Sequence, residues 1–160
     1  MRDRMTQPLR IGVIGSSSCS GEVGEAARRV GELIAKAGAI LVCGGLGGVM
    51  ASAAEGASGV GGTTVGILPG GDPRAANPGI QIAIPTGIGE ARNALVVAAS
   101  DAVIAIAGGW GTLSEAAFCL KTGVPLITLR TELPALPVPE AGTAEEAVDW
   151  AIRRARDRRG

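Results

Sequence analysis

The chain has 160 residues, of which 46% are hydrophobic and 19% are charged, a composition typical of one globular domain and not of a disordered segment. Lys+Arg and Asp+Glu both number 15, and this zero net charge argues against a general polyanion binder, so no nucleic-acid partner is expected. No apolar run approaches the roughly 20 residues that span a bilayer, and MRDRMTQPL lacks the apolar core of a signal peptide, so we expect a cytoplasmic protein without a membrane partner.

Apolar runs and helical periodicities alternate along the chain. In chain order they predict a strand at 10–14, a helix at 22–38, a strand at 39–43, a helix at 49–60, strands at 63–69 and 81–87, a helix at 89–100, a strand at 102–107, a helix at 112–123, a strand at 125–129 and a helix at 143–159. The nearly all-apolar strands indicate a parallel sheet that is covered on both faces. We therefore predict an α/β fold, a Rossmann-like doubly wound parallel sheet, as one domain over 10–160 that follows a flexible N-terminus at 1–9.

Three glycine-rich loops follow predicted strands and precede predicted helices, at 15–21, 44–48 and 108–111. Because ligands of such folds bind at the carboxyl ends of the strands, we expect these loops to meet at one edge of the sheet and to bind an anion. The alternative is that they are only tight strand-to-helix turns. The predicted ligand-binding residues from these loops are Gly15, Ser16, Ser17, Gly44, Gly45, Gly47, Gly108, Gly109, Trp110, Gly111 and Thr112.

The third loop belongs to the stretch AIAGGWGTLSEAA (105–117). Its glycines allow the backbone to approach a phosphate at the N-terminus of the next helix, and Trp110 is placed to stack on a flat base or pterin. A lid or a subunit contact is the alternative role of Trp110. Neither the G-x-G-x-x-G fingerprint nor the G-x-x-x-x-G-K-[ST] motif occurs, which disfavours a dinucleotide or a nucleoside triphosphate with magnesium.

Few residue types are available for acid–base chemistry. The sequence contains no histidine, and its three cysteines show no metal-ligand spacing, so no metal site is predicted. Glu115 lies about one turn into the predicted helix and is expected to face a ribose as a carboxylate; the alternative is a first-turn acid that only interacts with the helix dipole. Arg92 is expected to bind phosphate, and its alternative is a surface salt bridge with Glu90 or Asp101.

Together, GSSS (15–18), LVCGGLGGVM (41–50), VGILPG (65–70), EARNALVVAASDAVIAIAGGWGTLSEAA (90–117) and GVPLITL (123–129) resemble the LONELY GUY (LOG) superfamily. Its hallmark P-G-G-x-G-T-x-x-E, with an arginine on the preceding helix, matches at Gly108, Gly109, Gly111, Thr112, Glu115 and Arg92. Two positions depart from it: Ala107 replaces the proline, and Arg92-Asn93 replaces the arginine-lysine of the cytokinin-activating enzymes. The A-R-N sequence is typical of the branch of molybdenum-cofactor carrier-like proteins.

The resemblance implies two alternative functions. The first is a carrier or sensor that binds a phosphorylated heterocycle, either a molybdenum-cofactor pterin or a nucleotide, with Asn93 added to the ligand-binding residues and no other cofactor required. The second is a nucleoside 5′-monophosphate phosphoribohydrolase in which Arg92 and Glu115 are catalytic. Superfamily members have been labelled lysine decarboxylases, but we expect no such activity, because Lys36 and Lys121 lie near helix C-termini and not at a strand end. A homodimer or larger homo-oligomer is expected through the helices at 49–60 and 89–100, which are rich in small apolar residues and poor in charge.

Overall fold

The computed structural model describes residues 6–160. Its strands are β1 (Arg10–Gly15), β2 (Ile40–Cys43), β3 (Thr64–Leu68), β4 (Ile82–Pro85), β5 (Ala102–Ile106), β6 (Leu126–Leu129) and β7 (Glu140–Ala141). Its α-helices are α1 (Gly21–Lys36), α2 (Val49–Gly59), α3 (Asn93–Ala98), α4 (Trp110–Thr122) and α5 (Ala144–Arg159), and short 3₁₀ turns occupy Pro73–Ala75 and Gly89–Arg92. The strands form one parallel sheet in the order β4-β3-β2-β1-β5-β6-β7, so the strand order reverses between β1 and β5.

The two faces of the sheet carry separate cores because successive strand side chains point to opposite sides. Along β1, Ile11 and Val13 pack with α1, α2 and α5, whereas Ile14 packs on the other face with α3 and α4. The same alternation occurs in β5, where Ile104 and Val103 belong to opposite cores. Helices therefore cover both faces, and the predicted doubly wound α/β fold is confirmed.

Helices α1 and α2 lie unusually close to each other. A Cβ added to Gly31 would lie 1.9 Å from the Ala53 carbonyl oxygen, and one added to Gly56 would lie 1.9 Å from the Arg28 carbonyl oxygen. The small residues of α2 are thus explained by packing within the chain. The expectation that the 49–60 helix presents them to a second subunit is not supported by this packing.

Most predicted boundaries differ from the observed ones by one or two residues, and three differences concern the start, the division or the existence of an element. Helix α4 begins at Trp110, two residues before the predicted start, so part of the glycine loop forms its first turn. The predicted helix at 89–100 is divided into the 3₁₀ turn Gly89–Arg92 and the six-residue α3. Strand β7 was not predicted, because two residues are too few to show a periodic pattern.

The two ends of the chain meet beside β5. Arg159 donates hydrogen bonds to the carbonyl oxygens of Gln7 and Pro8 and to Asp101 Oδ2, and the Arg10 amide donates to the same carboxylate oxygen over 2.8 Å. These hydrogen bonds lower the pKa of Asp101 although its burial raises it. Residues 1–5 lie outside the described residues, and the flexibility of 1–9 stays a prediction. Within 6–160, no helix is both long and apolar enough to cross a bilayer.

Candidate functional site

A cleft of about 280 Å³ opens at the carboxyl ends of the central strands, beside the point where the strand order reverses. Residues from all three glycine-rich loops and from the segment before α3 meet there, which agrees with their predicted convergence. The lining residues are Gly15, Ser16, Ser17, Leu46, Met50, Glu90, Arg92, Asn93, Gly109, Trp110, Gly111, Thr112 and Glu115.

Ser16 joins the three loops. Its hydroxyl accepts a hydrogen bond from the Gly108 amide over 3.0 Å, and its carbonyl oxygen accepts one from the Val49 amide over 2.9 Å. The second contact needs a glycine at position 48, because Gly48 has a φ of +64° and a Cβ there would lie 2.2 Å from the Ser16 oxygen. The first turn of α2 is therefore tied to the β1 loop, and the rim of the cleft is fixed by backbone contacts.

The N-terminus of α4 is the part of the rim that suits an anion. Its N-cap residue is Gly109, and no side chain caps it. Such a helix end offers unpaired amides and about half a positive charge. Trp110, the first residue of the helix, is 87% exposed beside the cleft. A phosphate at these amides would leave the flat attached group within reach of a flat, exposed side chain.

Ala107 explains why the hallmark proline is absent. It has a φ of +53°, and its amide donates a hydrogen bond to the Leu129 carbonyl oxygen over 3.3 Å. Proline has a φ near −65° and no amide hydrogen, so it permits neither feature. The loop before α4 therefore has a conformation in this chain that the hallmark proline does not allow.

Substitution of Ala107 is expected to show this constraint. Ala107→Pro should lower the free energy of unfolding by about 3 kcal/mol or more, because it removes the amide and forces a different φ. Ala107→Gly should leave the free energy of unfolding unchanged or raise it by up to about 1 kcal/mol, because a left-handed conformation strains alanine but not glycine. Urea unfolding measures both, and a proline variant as stable as the glycine variant would contradict the assigned conformation.

Arg92 is buried against the cleft. Only 5% of it is exposed, its Nη1 donates to Asn93 Oδ1, and its Nε is a buried atom without a hydrogen-bond partner. The exposed Glu90 carboxylate lies 3.8 Å from Nη1, too far for a hydrogen bond, and Asp101 pairs with Arg10 and Arg159 instead. The alternative of a surface salt bridge with Asp101 is thus wrong. With Glu90 there is only a long contact, and the guanidinium that makes it is buried.

Glu115 is also buried, with 6% of the residue exposed. Burial raises its pKa to about 8; the positive charge of Arg92 acts in the opposite direction, and the negative charge of Glu90 adds to the rise. The side chain is therefore mostly a neutral carboxylic acid at pH 7. A carboxylate was predicted at this position, and the burial of the side chain, which cannot be read from the sequence, instead favours the neutral acid.

Four predicted ligand-binding residues lie behind the lining of the cleft. Gly44 leaves room for the guanidinium of Arg92, since a Cβ there would lie 2.9 Å from Nη2. Gly45 has a φ of +78°, and a Cβ on Gly47 would lie 3.2 Å from the Ser17 carbonyl oxygen. A Cβ on Gly108 would lie 2.9 Å from the Leu133 side chain. These glycines shape the backbone of the rim, and the ligand contacts of all the predicted residues stay predictions.

Three lining residues were missed by the sequence analysis, namely Leu46, Met50 and Glu90. Leu46 lies inside GGLGG, and Met50 lies in the first turn of α2, so their neighbours in sequence pointed to this edge of the sheet. Glu90 was considered only as a partner of Arg92. Its 76% exposed side chain places one negative charge at the mouth of the cleft.

Comparison with known proteins agrees with this geometry. The model of the SLOG cluster4 family matches residues 8–152. The chain belongs to the SLOG cluster4 family. This confirms the predicted LOG-like superfamily.

Relatives of this SLOG cluster4 protein cover nearly its whole length. An uncharacterised protein of Archaeoglobus fulgidus is 44% identical over 144 residues, which are 90% of this chain and 95% of that protein. The molybdenum cofactor binding protein of Rippkaea orientalis has a similar structure, with a TM-score of 0.86, 34% identity, and coverage of 92% of this chain and 98% of that one. The molybdenum cofactor carrier protein of Chlamydomonas reinhardtii gives a TM-score of 0.83 and 32% identity with the same coverage. The predicted carrier-like branch is thus confirmed by structural similarity.

Proposed function

We propose that this SLOG cluster4 protein binds and carries a phosphorylated heterocycle of the molybdenum-cofactor type. The observation that carries the proposal is the buried Arg92, which lines the cleft and whose Nε has no hydrogen-bond partner among residues 6–160. A buried cation without a paired anion is costly, and a phosphate in the cleft supplies the missing charge and acceptor atoms.

The other walls of the cleft suit the same ligand. The uncapped N-terminus of α4 offers amides to a phosphate, and Trp110 offers a ring face to a pterin. The cleft volume of about 280 Å³ is close to the lower limit of small-ligand sites, about 300 Å³, which favours one ring system with one phosphate over a dinucleotide. The similarity to two proteins described as binding or carrying molybdenum cofactor supports the choice of heterocycle.

Co-elution tests this proposal. Molybdenum cofactor released anaerobically from a molybdoenzyme should co-elute with the protein in gel filtration, with about one molybdenum and one pterin per chain measured by mass spectrometry and by fluorescence after oxidation. Excess orthophosphate should displace it, because the phosphate contacts supply much of the binding. If AMP co-elutes but the cofactor does not, the ligand is a nucleotide and not a pterin. If neither binds, the proposal is overturned.

One observation keeps the phosphoribohydrolase as the second candidate. A neutral Glu115 with a pKa of about 8 beside Arg92 is an acid that can protonate the leaving base while water adds to the sugar carbon. Incubation with AMP and with cytokinin-type monophosphates should then release free base and ribose 5-phosphate, and Glu115→Gln should abolish the release while ligand affinity stays within a few-fold. Absence of free base from the unmodified protein would exclude this candidate for the nucleotides tested.

We also propose that the protein forms a homodimer through the face of the sheet that carries α3. On β4, Ile82 and Ile84 are 47% and 44% exposed, and they pair in register with Val65 and Ile67 of β3. Because Ile67 belongs to the core beneath α3, the two isoleucines lie on that same face, and Leu95 of α3 is 42% exposed. Exposed apolar side chains at a sheet edge favour association.

Replacing Ile84 with arginine is expected to convert the dimer into a monomer, because the charge would be buried without a partner. Light scattering at micromolar concentration measures the mass. Val60→Arg is the matched control, because Val60 is 45% exposed and follows α2 on the opposite face. A monomeric unmodified protein would contradict the dimer, and equal effects of both variants would contradict this choice of face.

A further inference from the structure

A chain of hydrogen bonds connects Arg92 to the first turn of α4. Arg92 Nη1 donates to Asn93 Oδ1, and Asn93 Nδ2 donates to Ser114 Oγ over 3.1 Å. The Ser114 hydroxyl in turn donates to the Gly111 carbonyl oxygen over 2.7 Å. Both Arg92 and Asn93 are buried. The guanidinium and the helix end, which both line the cleft, are thus linked through two polar side chains.

The neighbours of each group in this series of hydrogen bonds fix which of its atoms donates and which accepts. The guanidinium donates only, so Asn93 must present its oxygen to Arg92 and its amide nitrogen to Ser114. Ser114 then accepts from Asn93 and uses its one hydrogen on Gly111. This order leaves no choice of amide orientation, and it holds the side chain of Asn93 in one rotamer.

The same series of hydrogen bonds also preserves the positive charge of Arg92. Asn93 is neutral, so it orients the guanidinium without cancelling its positive charge, as an aspartate at the same place would. The Nε of Arg92 is buried and has no hydrogen-bond partner among residues 6–160, so the protein itself does not neutralise this end of the guanidinium. Ser114 contributes no lining surface, and its contribution is to hold Asn93 and, through it, Arg92.

We propose that Ser114 is a positioning residue, which through Asn93 fixes the Arg92 guanidinium relative to the amides of α4 so that one phosphate meets both. The proposal rests on the proposed function for its ligand, an anionic phosphate group. The hydroxyl of Ser114 is the only atom of that residue that the linkage uses, so its removal should loosen Arg92 while α4 stays folded.

Two measurements on the full chain test it. The first needs no ligand: ¹⁵N NMR of arginine guanidinium groups reports whether the Nη atoms of Arg92 are held or rotate freely. They should be separately resolved in the unmodified protein and averaged in Ser114→Ala. The second is equilibrium dialysis against radioactive orthophosphate, in which Ser114→Ala should bind about tenfold more weakly, a change of about 1.4 kcal/mol.

Matched variants separate positioning from folding. Ser58→Ala removes the same kind of bond, since the exposed Ser58 hydroxyl donates to the carbonyl oxygen of Glu55, three residues earlier, over 3.3 Å, and it should change neither measurement. Ser114→Thr keeps the hydroxyl and should keep both the held Arg92 signals and the phosphate affinity. A role that depended only on side-chain volume would not predict this result. If Ser114→Ala fails to fold, Ser114→Cys keeps the volume while weakening the hydrogen bonds, and it should show the same loosening.

The outcomes are distinguishable. Held Arg92 signals in Ser114→Ala, or loosened signals with unchanged phosphate affinity, would overturn the positioning role. Absence of phosphate binding by the unmodified protein would overturn the proposed function, whereas the Arg92 signals would still decide whether Ser114 fixes the guanidinium. Loosened signals with weakened binding, both restored by threonine, are the expected result.

Discussion

Replacing Arg92 with methionine is expected to weaken binding of a phosphorylated ligand by at least about 100-fold, which corresponds to about 2.7 kcal/mol. The loss combines a buried charge with hydrogen bonds to a phosphate, and such charge-assisted bonds are about twice as strong as neutral ones. Isothermal titration with released molybdenum cofactor or with AMP, whichever the unmodified protein binds, measures the change.

The same substitution should leave the fold intact. The guanidinium is buried, and its carboxylate contact, with the exposed Glu90, is long at 3.8 Å, so a methionine of similar length removes a poorly paired charge and should approximately keep the free energy of unfolding. Arg92→Lys is the informative second variant, because it keeps a positive charge but not the planar set of donors, and intermediate affinity is expected. Undiminished binding by Arg92→Met in a folded protein would remove Arg92 from the site.

Replacing Glu115 with glutamine is expected to stabilise the protein at neutral and mildly alkaline pH. The pKa of Glu115 is about 8 in the folded protein, against an ordinary value of 4.5 for a glutamate side chain. The contribution of Glu115 to the free energy of unfolding is therefore fully present below about pH 4.5. It is lost as the pH rises towards 8, because in that range only the unfolded chain releases the proton. Glutamine stays neutral throughout, so the difference between the variant and the unmodified protein should grow between these pH values and level off above them.

The size of this effect is large for a single substitution. We expect a gain of about 3 kcal/mol near pH 8, equivalent to roughly 10 °C in the melting temperature for a domain of this size. Calorimetry from pH 5 to pH 9 measures it, and the sequence has no histidine to titrate between pH 5 and pH 8. Glu55→Gln, on the exposed side of α2, is the control and should not change the slope. Parallel pH profiles of Glu115→Gln and the unmodified protein would show that Glu115 ionises normally.

Such a gain has a functional meaning. If only stability were selected, a neutral residue should stand at position 115, because the native glutamate lowers the stability of the fold. Glu115 lines the cleft beside Arg92, so its acid group belongs to the interactions with the ligand in the proposed function. If the ligand carries a phosphate near this group, binding should raise the pKa of Glu115 further and take up protons above neutral pH.

The sequence by itself determined the fold and the position of the site. Apolar strands separated by helical periods are local patterns, and they favour a parallel sheet that helices cover on both faces. The glycine loops after β1, β2 and β5 were expected at one edge of the sheet, and residues from all three line the cleft. The motif around Gly108 to Glu115 also led to the superfamily that the comparison confirmed.

Tertiary structure alone decided the chemical state of that site. The burial of Arg92 and the proton on Glu115 depend on how the segment before α3 and α4 pack and on which groups meet them, and these contacts join residues more than twenty positions apart. Ser114 shows the same limit, since a serine on a helix face gives no local indication that it will hold an asparagine from another helix. Secondary structure follows from near neighbours in the chain, whereas desolvation and hydrogen-bond partners are set by residues that only folding brings together.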